Sequence, residues 1–145
     1  AARGIAPPEL EADEARMMDD APDGLALSGR RIMADLHGER SGQGYAAPDD
    51  PATSALYEIA IRYGYGVIWT RAGLTWRQRM FVAVAAFTAL RLDATLKKFA
   101  VSALGQGLTR EEVVEAIMQT ALYGGFPPAL TALAQVKPLL FPEAS

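Results

Sequence analysis

Residues 107–128, GLTREEVVEAIMQTALYGGFPP, carry a whole helix with both of its ends written into the sequence. Thr109 followed three residues later by Glu112 is a capping box, in which each side chain satisfies a backbone N–H that the first turn leaves without a partner. The helix this opens runs from Arg110 to Tyr123. Its spacing turns Gln119 inward beside Ile117 and Ala121. Gly124 and Gly125 end it, and Pro127 and Pro128, which have no N–H to lose, suit the first turn of a last helix reaching about Leu139.

The same reading extends upstream. Asp93 is placed to cap a helix over Ala94–Gly105 that ends at Gly107. Thr75 and Gln78 form another capping box, opening a helix from Trp76 to about Arg91. Within it, Met80 to Leu90 is apolar almost all round, the pattern of a helix covered on every side. Asp50 and Pro51 read as an N-cap and first helical position, with Leu56, Ile59, Ala60 and Tyr63 as the apolar stripe of a helix ending near Arg62. A short helix over Leu25–Leu36 stops at Gly38. Residues 1–23, rich in Pro, Ala, Asp and Glu, are expected to be a poorly ordered arm with one helical turn at Leu10–Met18, leaving residues 24–145 as the domain. No period-two pattern competes. The expected fold is all-α, with about six helices.

Composition narrows the function. A chain of 145 residues that is half apolar can bury a real core. A net charge of −3 with no Lys/Arg block argues against nucleic acid as a partner. The absence of cysteine removes thiolate metal sites, redox dithiols and a Cys nucleophile, and the single histidine, His37, cannot build a His-rich metal centre. No apolar run reaches membrane-spanning length. The first residue is not Met, which is read as a trimmed N-terminus; a cytoplasmic location is the expectation, with export left open.

The stretch RYGYGVIWTRAGLTWRQRM, residues 62–80, is unlike the rest. Gly64 and Gly66 interrupt an otherwise helical run, while Tyr63, Tyr65, Ile68 and Trp69 are too apolar for a solvated loop. The expectation is a helix that breaks at the two glycines to form a pocket wall, with Arg71 at its rim. Arg77 and Arg79 stand in the first turn of a helix, where the dipole disfavours positive charge. An ion pair with Glu112 or Glu115 would account for them.

Two segments resemble the γ-carboxymuconolactone decarboxylase family. GVIWTRAGLTWRQR is similar to that family's W-G-E, aromatic or Val, W-S/T-R-P-G-L-x-x-R-T-R segment. ALGQGLTREEVVEAIMQTALYGGFPPALTAL follows its A-x-x-N-G-x-T-x-E-E-I-x-E-x-x-x-Q-x-A-x-Y-x-G-x-P-A-A segment in register. GRRIMADLHGERS is a weaker match to its early R-R-x-V-L-G-x-x-H-V stretch. The resemblance spans about residues 26–138. It implies an all-α subunit of the alkyl hydroperoxidase D-like kind, assembled in rings as trimers or hexamers, and two activities: decarboxylation of a carboxylated butenolide, and thiol peroxidation from a Cys-x-x-Cys-x-x-x-His motif. Here the two Cys positions are Leu92 and Thr95 and the His position is Phe99, so the peroxidase chemistry is absent. The W-G-E glutamate falls at Val67, so the decarboxylase's usual Glu/His pair is apolar as well.

What remains can still meet the demands of decarboxylation, which are an apolar pocket, a donor for the developing oxyanion and a proton returned to carbon. Val67, Trp69 and Phe99 are candidates for the apolar wall, with Gln119 and Tyr123 as further substrate contacts. Arg71 is the candidate for the carboxylate or oxyanion. His37, Tyr65 and Tyr123 are the candidate proton carriers, His37 first because its ordinary pKa is near 6.5. Each has a structural alternative: His37 satisfying helix-end carbonyls, Arg71 pairing across a subunit boundary, Trp69 serving as core. The expected protein is a lyase or isomerase acting on a small oxidised cyclic acid, lactone or aromatic-derived compound, with no cofactor required by any motif. The alternative is a non-catalytic oligomeric scaffold that kept the fold. In either case the partner is a second copy, since a helix apolar all round in so short a chain calls for a closed trimer or hexamer.

Overall fold

The computed structural model of the protein describes residues 24–42 and 50–144, all of it helix, turn or extended connection. The expected arm over residues 1–23, with its turn at Leu10–Met18, lies outside the described residues. Among the described residues six α-helices follow in order: α1 (Gly24–His37), α2 (Ser54–Ile59), α3 (Trp76–Ala89), α4 (Asp93–Gly105), α5 (Arg110–Gly124) and α6 (Phe126–Leu140). A 3₁₀ turn, Gly38–Arg40, follows α1, and a π-helical segment, Ala60–Ile68, continues α2 without a break.

The two capping boxes form as the sequence requires. Thr75 accepts from the Gln78 N–H and Thr109 from the Glu112 N–H, and each partner side chain returns the bond. Asp93, by contrast, makes no cap: Leu92 holds that position and Asp93 is the first residue of α4. Asp50 also departs from expectation. Its carboxylate accepts from the Ala52 N–H at 2.7 Å, closing a turn over residues 50–53, and the helix begins only at Ser54.

α3 to α6 interlock around Met80, Val84, Leu96, Val113, Ile117, Val136 and Leu140, each at most 1% exposed. Each such side chain contributes roughly 1.5–3 kcal/mol. α1 and the π segment form a second layer that joins this core through α4. α3 is buried along Met80, Val84 and Thr88, while Val82 and Leu90 on its other side are 60% and 66% exposed in the single chain.

Gly64 and Gly66 do not break the chain. They lie inside the π helix, whose i→i−5 bonding persists to Trp69 N–H and Gly64 C=O at 3.0 Å. Thr70 ends the segment by donating to the carbonyls of Gly66 and Val67. What Gly66 provides is proximity. A Cβ there would stand 2.7 Å from the Leu25 carbonyl oxygen, and one on Gly29 would collide with the Ile61 carbonyl. Backbone therefore meets backbone along the seam between α1 and the π segment. The facing pairs Leu25–Gly66, Gly29–Ile61, Arg30–Glu58 and Met33–Tyr57 show the two running antiparallel.

Candidate active site

The antiparallel seam decides where two of its side chains point. Cβ atoms tilt toward the N-terminus of their own helix. On α1 this inclines His37 back along the seam, and on the π segment it inclines Tyr65 toward it. The His37 Nε2 and the Tyr65 hydroxyl meet at 3.0 Å. The other ring nitrogen, Nδ1, lies 2.6 Å from the Ser102 Oγ on α4. His37 and Ser102 are wholly buried and Tyr65 nearly so.

The hydrogen positions follow from the acceptors. The Ser102 hydroxyl donates to the Lys98 carbonyl one turn back, at 3.0 Å. Having spent its hydrogen, it accepts from His37, which must carry its proton on Nδ1. Nε2 is then a bare lone pair, and the Tyr65 hydroxyl donates into it.

Positive charge surrounds this neutral chain. Lys98, 4% exposed, donates from Nζ to the Ser41 carbonyl at 2.5 Å. Arg40, carried in by the 3₁₀ turn, reaches the Ser102 Oγ at 3.5 Å. Gly38, at φ +55°, makes the turn that sends the chain this way. Burial, reinforced by the charges of Lys98 and Arg40, lowers the His37 pKa from 6.5 to about 3. Burial, then the charge of Arg40, lowers the Lys98 pKa to about 8. The pKa near 6.5 that made His37 the preferred proton carrier is therefore overturned. The ring is neutral throughout the physiological range and acts as an acceptor.

Aromatic rings close the other side. Trp69 stacks on Tyr65 with ring centres 6.2 Å apart, and Phe99 meets the His37 ring edge-on at 4.6 Å. Trp76 fixes Trp69 by donating to its carbonyl at 3.0 Å. Beside Trp69 an open cleft of about 190 Å3 is lined by Ile68, Leu74, Val82, Ala83 and Arg79.

Of the residues singled out in the sequence, the structure gathers His37, Tyr65, Trp69 and Phe99, with Val67 half-buried on the same segment. It does not gather the others. Arg71 is exposed, and the cation in the cleft is Arg79, whose Nη2 donates to the Arg71 carbonyl at 2.7 Å. Gln119 is exposed rather than inward, because Val113, Ile117, Thr120 and Ala121 supply the buried side of α5. Tyr123 is 83% exposed. Arg77 makes the expected surface pair with Glu112, at 2.5 Å. Ser102, Lys98 and Arg40 escaped the sequence reading. The signal for the first two was the run Thr95, Lys98, Phe99, Ser102, spaced i, i+3, i+4, i+7 on one face of α4. Among the described residues, no group of three or more His, Asp or Glu could hold a metal ion, and no helix is long and apolar enough to cross a membrane.

Comparison with known proteins identifies the family. The model of the carboxymuconolactone decarboxylase family matches residues 54–138. The chain is 31% identical over 72 residues to a 4-carboxymuconolactone decarboxylase of Acinetobacter baylyi, a match covering 50% of this chain and 54% of that protein, so it spans about half of that relative's length. It is 24% identical over 105 residues to a nitrosuccinic acid decarboxylase of Metarhizium robertsii, covering 72% of this chain and 73% of the other.

Proposed function

The chain belongs to the carboxymuconolactone decarboxylase family, and from that premise we propose that it is a decarboxylase-type lyase acting on a small oxidised organic acid. The observation that carries the reading is the Tyr65 hydroxyl, held by His37 in a buried, neutral hydrogen-bond chain beside an aromatic wall. A decarboxylase named for nitrosuccinic acid among the relatives supports a small acid as substrate without requiring a lactone.

In this reading the substrate lies against Trp69. The bond to its carboxylate breaks, CO2 leaves, and the electron pair passes into a conjugated carbonyl or nitro group. Arg79 at the cleft stabilises the oxyanion that results, the role the sequence had suggested for Arg71. The Tyr65 hydrogen then turns from His37 to the carbanion. Burial keeps a proton off His37, and the positive field of Lys98 and Arg40, which adds to this, favours the phenolate left on Tyr65 until solvent reprotonates it. His37 is a positioning residue.

We also propose that the protein works as a closed trimer or hexamer. Val82, Leu90, Leu122, Phe126 and Leu130 are each 60% or more exposed in the single chain, an apolar surface suited to another copy.

The test is CO2 release from carboxymuconolactone and from nitrosuccinate. The expected result is turnover of one of them that falls about 10²–10⁴-fold in Tyr65→Phe, the range for loss of a general acid. No CO2 from either acid, or turnover untouched by Tyr65→Phe, overturns the reading.

A further inference from the structure

We propose that Arg40 and Lys98 together form a seat for a carboxylate of the ligand. The inference deepens the function proposed above and rests on it for the identity of the anion. Both cations reach one buried cluster, Arg40 from the 3₁₀ turn and Lys98 from α4.

Every bond they make within the cluster goes to a neutral acceptor. Lys98 donates to a backbone carbonyl. Among the described residues Arg40 makes only a long contact with Ser102, and its Nε is buried with no partner there. The ion pairs between described residues, Arg30–Glu58 and Arg77–Glu112, involve other cations and lie on partly exposed surface. The other side chains that hydrogen bonds join to this cluster among the described residues are Ser102, His37 and, beyond the ring, Tyr65, none of them anionic in the network. Two like charges held together, Lys98 buried and Arg40 partly so, with no counter-ion among the described residues, are unfavourable, and the arrangement becomes favourable when an anion joins them. A carboxylate suits the planar edge of Arg40 and the point charge of Lys98. Burial, and after it the charge of Arg40, lowers the Lys98 pKa to about 8.

The experiment uses the full chain and a carboxylate that is not turned over. Succinate is titrated by calorimetry, and its effect on thermal unfolding is followed at ionic strength held constant with sodium chloride. Inorganic phosphate is a parallel arm. Succinate is expected to raise the wild-type Tm beyond the chloride control, and its affinity to fall about tenfold or more in Lys98→Met and in Arg40→Gln. Affinity should also fall as pH rises through about 8 and Lys98 loses its proton. Without ligand, Lys98→Met should melt at or above the wild-type temperature, since it removes an uncompensated charge. Arg40→Gln, at a less buried position, supplies the answer should Lys98→Met fail to fold.

A wild-type response no larger than the chloride control, or undiminished affinity in the folded variants, overturns the proposal. Tighter binding of phosphate than of succinate overturns the assignment to carboxylate. CO2 is not part of this readout. A protein that binds succinate through Lys98 yet decarboxylates nothing fails only the proposed function. One that decarboxylates without a Lys98-dependent response fails only this inference.

Discussion

The Tyr65 hydroxyl and the His37 Nε2 stand 3.0 Å apart, and the hydrogen on that line belongs to the tyrosine. Ser102 fixes this by accepting from the opposite side of the ring. Replacing Tyr65 with Phe leaves a buried lone pair on His37 with no donor. An unsatisfied buried acceptor costs about 1–3 kcal/mol. Urea unfolding of Tyr65→Phe should show that loss, and the His37 side-chain NMR signals should shift while the fold is kept. An unchanged midpoint would mean that water replaces the hydroxyl.

Stability should fall on acidification through a defined window. His37 has a folded pKa of about 3 against about 6.5 unfolded, so between those values the unfolded chain binds the extra proton. The contribution is fully present above pH 6.5 and is lost as pH falls toward 3, with a total on the order of a few kcal/mol. Denaturation midpoints of the wild type and of His37→Gln, measured from pH 7 to pH 4, should converge as pH falls. Parallel curves would place the titrating group elsewhere.

The seam between α1 and the π segment should resist even one methyl group. A Cβ at position 66 stands 2.7 Å from the Leu25 carbonyl oxygen, and backbone cannot move aside as a side-chain tip can. Gly66→Ala is expected to cost more than about 2 kcal/mol, toward the upper end of overpacking penalties. Gly64→Ala, where a Cβ meets nothing within 4 Å, should be neutral or stabilising. Equal midpoints for the two variants would contradict the close approach.

Helix ends were legible because caps are local. Thr75–Gln78 and Thr109–Glu112 need only the right residues three apart, and both form. The candidate site was legible in part. His37, Tyr65, Trp69 and Phe99 meet as a group, whereas Lys98 and Ser102 looked like ordinary residues of an amphipathic helix until α1 brought His37 against them. Gly64 and Gly66 were misread because glycine in a helical run signals either a break or a close approach, and only the facing backbone of Leu25 marks Gly66 as the latter, while Gly64 borders open space. Gln119 was misplaced by one position on α5, since Thr120 takes the buried place and bonds its hydroxyl to the Ile117 carbonyl.

Assembly has its own test. Leu122 is 67% exposed on α5 and Val82 60% exposed on α3. Sedimentation at micromolar concentration should report a trimer or hexamer for the wild type and smaller species for Leu122→Arg or Val82→Arg, with helical content by circular dichroism preserved. A folded, soluble wild-type monomer would remove the proposed assembly.

The π helix from Ala60 to Ile68 has a consequence for tolerance to changes in length. Its i→i+5 bonds use roughly one more residue per turn than an α-helix needs, so the register of everything after Gly64 depends on the π geometry. Deleting Gly64, around which there is open space, would let the turns tighten without removing a buried side chain. Glu58 and Ile61, before the deletion, would keep their places against Arg30 and Gly29. Tyr65, after it, would rotate by about 100°, the step of one α-helical residue, and leave the line to His37. The same shift would bring Val67 to the place that Gly66 holds against the Leu25 carbonyl, so a chain one residue shorter would lose the proton donor and the close approach at this end of the seam together, which ties the length of the π segment to folding and chemistry at once.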